Sequence, residues 1–245
     1  MKQRLDKILV QKGLAETRTK AQHIINTSSI KVDGEIITDS SKLVDETSKI
    51  EVVKQYEYVS QGGYKLDGLL KSGVVEIKDK VCFDIGSSTG GFTDCLLKFG
   101  ARKVYCCDVG KNLLSEKLLN DSRVVLFEGV NFRYFIELGY KEKVTDKIDI
   151  FTIDVSFISL TKIIPVVKKI ANYPHKIIAL VKPQFECERS YIKKGIVKEE
   201  KYRLDAVQKI ICFTENLGYK NIVVEKSRVR GKEGNIEYFV VFKYS

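Results

Sequence analysis

Five near-continuous apolar runs constrain this chain more than any other feature: VCFDIG (81–86), KVYCCDV (103–109), VVLF (124–127), KIDIFTID (147–154) and KIIALV (176–181). A strand that alternates apolar and polar residues has one wet face, whereas a run without alternation is covered on both. With helical segments between most of them, the runs predict an α/β domain whose parallel sheet is wound by helices. The end of the chain differs. NIVVEK (221–226) and NIEYFVVFK (235–243) follow a helical stretch and are separated by the polar, glycine-containing loop SRVRGKEG (227–234). That pattern predicts a hairpin whose last strand is antiparallel to the rest of the sheet.

The first 57 residues read as a separate small α+β domain, with residues 58–245 as the second. Leu5, Ile8 and Leu9, then Ala21, Ile24 and Ile25, recur at helical spacing and predict two short amphipathic helices. Thr17 is placed to cap the second. KVDGEIIT and KIEVV follow as strands, with a D-G turn inside the first. The junction near Gln55–Tyr58 is short and polar, so the two domains are expected to be closely coupled.

Charge narrows the partners. Lys and Arg number 42 against 32 Asp and Glu, a formal +10. A surplus of this kind favours a polyanion, because each neutralised phosphate releases counterions, although an anionic membrane would be served equally by charge alone. The six cysteines have no C-x-x-C spacing and there are only two histidines, so no structural metal is expected. MKQRLDKILVQKG lacks the apolar core of a signal peptide. No apolar stretch approaches the roughly 18 residues that cross a bilayer. The expectation is a cytoplasmic, monomeric protein with reduced thiols and no membrane span.

FDIGSSTGGFTDCLL (83–97) joins a strand, a glycine-rich turn and a helix start, an arrangement that cradles nucleotide-type ligands. The spacing is not the G-x-G-x-x-G of dinucleotide sites. Asp84, just ahead of Gly86, would repel a pyrophosphate but suits the ammonium and sulfonium of S-adenosylmethionine. Asp108 ends the second strand, where an acid can bind ribose hydroxyls. Glu128 and Asn131 follow the third strand, within reach of an adenine, although loop residues often bond only their own backbone. Charged residues also collect at the carboxyl ends of the strands, where open α/β sheets bind ligands: Asp154 ends KIDIFTID, Lys182 ends KIIALV, and Glu237 begins the last strand. Lys65, in GGYKL, is a fourth candidate.

These segments together are familiar. RLDKILVQKGLAETRTKAQHII, YVSQGGYKL, FDIGSSTGGFTDCLL, VYCCDVG, IDVSFISL, LVKPQFE and GKEGNIEYFV resemble the TlyA family, often labelled haemolysin A, whose members are rRNA 2′-O-methyltransferases. The second domain is similar to FtsJ-type methyltransferases. That likeness implies a Lys-Asp-Lys-Glu tetrad at Lys65, Asp154, Lys182 and Glu237, and cofactor contacts at Asp84, Gly86, Ser88, Gly90, Gly91, Phe92, Asp108 and Asn131. The first domain resembles an RNA-binding domain first described in a small-subunit ribosomal protein, which implies RNA contacts at Arg4, Lys7, Arg18 and Lys20. Residues 1–54 carry only ten Lys and Arg against eight Asp and Glu, so any grip there must come from local clustering. The implied reaction is S-adenosylmethionine-dependent methylation of a cytidine ribose in ribosomal RNA or a ribosomal subunit. The large subunit is favoured, because the chain starts almost at its first helix and has little C-terminal extension. Gln61, Leu113 and Gly129–Val130 stand where the family usually has Arg, Gln and Arg-Thr, which bears on linker and adenine contacts and leaves the tetrad intact. A membrane-lysing toxin, as the haemolysin label suggests, would need an amphipathic or spanning segment that does not stand out.

Overall fold

The computed structural model describes residues 2–26, 30–37, 39–52, 58–231 and 234–245. It divides into two units, residues 1–61 and 62–245. Most of the junction read at Gln55–Tyr58 lies outside the described residues.

In the small unit, β1 (Lys2–Arg4) leads into α1 (Leu5–Gln11), followed by α2 (Arg18–Asn26), β2 (Ile30–Val32), β3 (Glu35–Ile36), β4 (Leu43–Asp45) and β5 (Ile50–Val52). The helices form where the apolar spacing places them: Leu5, Ile8 and Leu9 pack with Ala21, Ile24 and Ile25 in one buried cluster. Thr17 caps α2, its Oγ1 accepting the Lys20 N–H at 3.2 Å. The D-G turn is a tight hairpin, with φ of 50° at Asp33 and 88° at Gly34, the double positive φ that matches strand twist. β2 pairs antiparallel with both β3 and β5, and β1 with β4. The β1–β4 pair is absent from the sequence reading because three residues per strand are too few to display alternation.

The larger unit begins with α3 (Gln61–Leu70) and continues through β6 (Val81–Ile85), α4 (Gly91–Lys98), β7 (Lys103–Asp108), α5 (Glu116–Leu119), β8 (Val124–Glu128), β9 (Ile150–Ile153), α6 (Ile164–Ile170), β10 (His175–Val181), α7 (Pro183–Glu186), α8 (Glu200–Asn216), β11 (Lys220–Lys226) and β12 (Tyr238–Tyr244). The five apolar runs become the parallel strands β6–β10, and the final run becomes β12, antiparallel to both β10 and β11. The sheet order is β11-β12-β10-β9-β6-β7-β8. β6 therefore has its successor on one side and β9 on the other. This reversal opens a crevice at the carboxyl ends of β6 and β9, the usual ligand position in such sheets.

Both faces of β6 are covered, as its unbroken hydrophobicity requires. Val81, Phe83 and Ile85 belong to a cluster with Ile164 and Val167 of α6 and Ile210 of α8, while Asp84 turns to the other face and meets Thr93 of α4. Phe83 is the hub, with ring centroids of Tyr105, Phe127, Phe132, Phe135 and Phe151 all 5.5–6.2 Å away. Among the described residues, no helix is long and apolar enough to cross a membrane. Phe83→Ala should cost about 3–5 kcal/mol, read as a lowered urea midpoint at constant slope. An unchanged midpoint would contradict the central role of this ring.

Candidate active site

The turn after β6 follows from backbone constraints. Gly86 and Gly90 adopt φ of 85° and 93°, a region that L side chains resist. A Cβ on Gly86 would come within 2.6 Å of the Asp154 carbonyl oxygen, so this glycine lets the loop press directly on the end of β9. At Gly90 a Cβ would run into the Leu114 and Leu118 side chains. Gly91 is the buried first residue of α4. Ser88, itself at φ 48°, donates its N–H to Asp108 Oδ2 at 2.8 Å, and Gly110 N–H bonds Asp108 Oδ1 at 2.8 Å. Each Asp108 oxygen keeps one lone pair for a further donor.

Three expected contacts stand differently from the sequence reading. Asp84 is fully buried, with Oδ2 accepting from Thr93 at 2.7 Å and Oδ1 from Thr152 at 2.9 Å. It supports the loop from beneath and does not present its carboxylate to the crevice, because a carboxylate inside the sheet must be given donors. The Phe92 ring is 3% exposed, packed 6.0 Å from Phe239 and against Gly62, so its side chain is core. Asn131 is exposed, but its Oδ1 caps the 3₁₀ turn Phe132–Tyr134 by accepting from Arg133 N–H at 3.1 Å. Glu128 likewise takes the Asn112 N–H at 2.9 Å. Ser87, next to the expected contact Ser88, has a buried hydroxyl with no hydrogen-bond partner among the described residues.

The four candidate catalytic residues assemble as two ion pairs. Lys65, on α3, donates to Glu237 Oε2 at 2.7 Å, with both side chains buried. A Cβ on Gly231 would collide with that carboxylate, so a glycine there allows the loop to approach it. Lys182 Nζ lies 2.7 Å from Asp154 Oδ1 and donates to Ser156 Oγ at 2.9 Å. The approach to Oδ1 is off the hydrogen-bond direction, leaving that oxygen without an aligned donor among the described residues. Strand register accounts for the convergence: Val181 faces Tyr238, so Lys182 and Glu237, one residue beyond each, leave the sheet at the same edge. Asp154 leaves that edge from the neighbouring β9, with Ile153 beside Ala179.

Two further features border this edge. Buried Glu186 accepts from Ser159 Oγ at 2.6 Å and Leu160 N–H at 2.7 Å, while Lys209 donates to its backbone carbonyl at 2.8 Å. It thereby ties the segment after Asp154 to the segment after Lys182. Phe157 is 90% exposed at φ 63° and lies 5.1 Å from the Phe185 ring. An exposed aromatic held in a left-handed conformation is strained. Neither residue carried a sequence signal beyond proximity to Asp154 and Lys182.

In the small unit, Arg4 and Arg18 both donate to buried Asp6. Lys20 pairs with Glu16 one turn earlier, and Lys7 is exposed. The basic residues expected to face RNA are thus partly engaged within the unit.

Burial pushes the Asp84 carboxyl up to about 7, against the Thr93 and Thr152 hydroxyls, which favour the anion. Folding therefore favours the protonated acid. Its stabilising contribution is complete below the unfolded value near 4 and is lost as pH rises through 7. Asp84→Asn removes that titration, so the wild-type melting temperature, measured relative to the variant's, should fall between about pH 4 and about pH 7. Parallel pH profiles for the two proteins would contradict the assignment.

Residues 58–244 match the FtsJ-like methyltransferase family, and residues 3–50 match the S4 domain family. Across 98% of its length the chain is 42% identical to Hemolysin A of Brachyspira hyodysenteriae, spanning 99% of that protein. It is 35% identical over 97% of its length to the 16S/23S rRNA (cytidine-2'-O)-methyltransferase TlyA of Mycobacterium tuberculosis, spanning 88% of it. A solved structure from Streptococcus thermophilus that carries the haemolysin label is similar over 100% of this chain and 89% of that one, with a TM-score of 0.76 at 34% identity. A chain of the fibrillarin/Nop5p complex shares the fold alone, with a TM-score of 0.55 at 12% identity, covering 79% of this chain and 88% of its own. By these matches, which reach almost end to end, the chain belongs to the FtsJ-like methyltransferase family, in the TlyA group that places an S4 domain ahead of the catalytic fold.

Proposed function

We propose that this protein methylates the 2′-hydroxyl of a cytidine ribose in ribosomal RNA, using S-adenosylmethionine. The observation that carries the reading is the meeting of two Lys–carboxylate pairs, Lys65–Glu237 and Lys182–Asp154, at one edge of the sheet, with the glycine loop pressed against Asp154. The relatives supply the substrate class: one is named for 16S and 23S rRNA, another, from Campylobacter jejuni, for 23S rRNA.

The loop suits the cofactor. Gly86 and Gly90 keep side chains out of the turn, the Ser87 hydroxyl is buried without a partner among the described residues, and Asp108 retains acceptor capacity for ribose hydroxyls. When bound, S-adenosylmethionine supplies an electrophilic methyl group on a sulfonium. Asp84 holds the underside of the loop through Thr93, and its place is structural. At the reacting edge, Lys182 would orient the 2′-hydroxyl toward the methyl-donor site and relay its proton to Asp154 as the O–CH3 bond forms and the S–CH3 bond breaks, the electron pair of the broken bond staying on sulfur. Asp154 and Ser156 fix the Lys182 side chain, and Glu237 fixes Lys65. Holding a weak nucleophile in line is itself a large effect, since oriented groups reach effective molarities of about 10⁵–10⁸ M.

Phe157 and Phe185 offer an exposed apolar surface beside the pair, on which the nucleobase of the target can stack. The S4 domain provides the second hold on RNA through Arg4, Lys7, Arg18 and Lys20.

Lys182→Ala should leave the melting temperature near that of wild type and lower methyl transfer to ribosomal subunits by on the order of 10²–10⁴, measured with radiolabelled cofactor. Retained transfer would exclude the proposed role. Phe157→Ala should raise the KM for the ribosomal substrate about ten-fold while sparing that for the cofactor; an equal rise in both would remove the stacking assignment. Mapping 2′-O-methylation on both rRNAs, from cells with and without the gene, identifies the subunit and nucleotide. No difference at any position would overturn the reaction itself.

A further inference from the structure

Asp6 is an unusual occupant of a small core: its side chain is wholly buried on α1, whose other inward residues are apolar. Three donors share one of its oxygens. Oδ2 accepts from Arg4 Nη2 at 2.9 Å, Arg18 Nη2 at 3.0 Å and Gln22 Nε2 at 2.9 Å, while Arg4 Nε donates to Oδ1 at 3.1 Å. The two Nη2 atoms are therefore no more than 5.9 Å apart. Arg4 immediately precedes α1 and Arg18 opens α2, and the two guanidiniums would otherwise repel each other. Neither arginine is consumed: their side chains remain 38% and 52% exposed, and each guanidinium has five N–H donors, most of them still unused. Asp39 also contributes negative potential at Arg4, but its Oδ1 accepts from the Ser41 backbone N–H and hydroxyl.

We infer that Asp6 is a positioning residue that organises Arg4 and Arg18 into a single clamp for one RNA phosphate, so that geometry more than net charge sets the grip of the small unit. This rests on the RNA-binding reading of that unit and sharpens it. A residue surplus of two positive charges over residues 1–54 makes a weak electrostatic surface, whereas two planar guanidiniums held side by side match a phosphate bidentately at little entropic cost. Lysine in either position keeps the charge and loses the fork.

The test uses the full-length protein and a fluorescein-labelled RNA hairpin of mixed sequence, with affinity followed across about 50–200 mM salt. Arg4→Lys and Arg18→Lys should each weaken binding about ten-fold at an unchanged salt slope. Asp6→Asn, which removes a negative charge, should also weaken binding. Wild-type affinity in both lysine variants, or tighter binding by Asp6→Asn, would overturn the clamp and leave the cluster a structural staple. If Asp6→Asn does not fold, the lysine variants decide alone. The double variant Arg4→Gln, Arg18→Gln separates the two levels. With the lysine variants neutral, a loss of affinity and slope in the glutamine pair defeats only the clamp. Wild-type affinity and slope in the glutamine pair itself would defeat RNA binding by these residues.

Discussion

A carboxylate taken out of water costs several kcal/mol unless donors converge on it, and that requirement organises both parts of this protein. Asp84 draws Thr93 and Thr152 together beneath the glycine loop. Glu237 draws Lys65 across from α3. Glu186 binds the segment leaving β9 to the segment leaving β10. In the small unit Asp6 collects two arginines and a glutamine. Each buried carboxyl group fixes the positions of groups far apart in the chain, because an unsatisfied alternative is too costly to populate.

The consequence for chemistry is a preorganised edge. The four candidate catalytic side chains come from α3, the ends of β9 and β10, and the start of β12, and ion pairing holds them before any substrate arrives. Gly86 joins this edge to the cofactor loop, since its missing side chain allows contact with the Asp154 backbone. The loop and the backbone at Asp154 are therefore in direct contact. Such contact suits a transfer whose rate depends on alignment. The two units carry different surface chemistry: the S4 unit holds two guanidiniums on one buried carboxylate, and the methyltransferase unit exposes Phe157 beside Phe185.

Much of this was legible beforehand, for local reasons. Unbroken apolar runs such as VCFDIG can only be strands covered twice, and the observed β6 is buried at every residue. Helical spacing at Leu5, Ile8 and Leu9 and the D-G turn at Asp33–Gly34 are properties of a few consecutive residues. What escaped was side-chain direction. Asp84 and Phe92 lie in the cofactor motif, yet both point into the core; residue type and spacing do not reveal which face of the sheet a side chain takes. Ser156 and Glu186 had no pattern to advertise them, because their partners are distant in sequence.

By itself the sequence determined the α/β class, the antiparallel last strand, the glycine turn and the identity of the charged residues near strand ends, since hydrophobic periodicity and backbone stereochemistry act over short spans. Only the tertiary structure decided which cation meets which anion: Lys65 with Glu237, Lys182 with Asp154, and Arg4 and Arg18 with Asp6. Those pairings depend on strand register and on which faces come together in the core, and both are settled by packing across the whole fold.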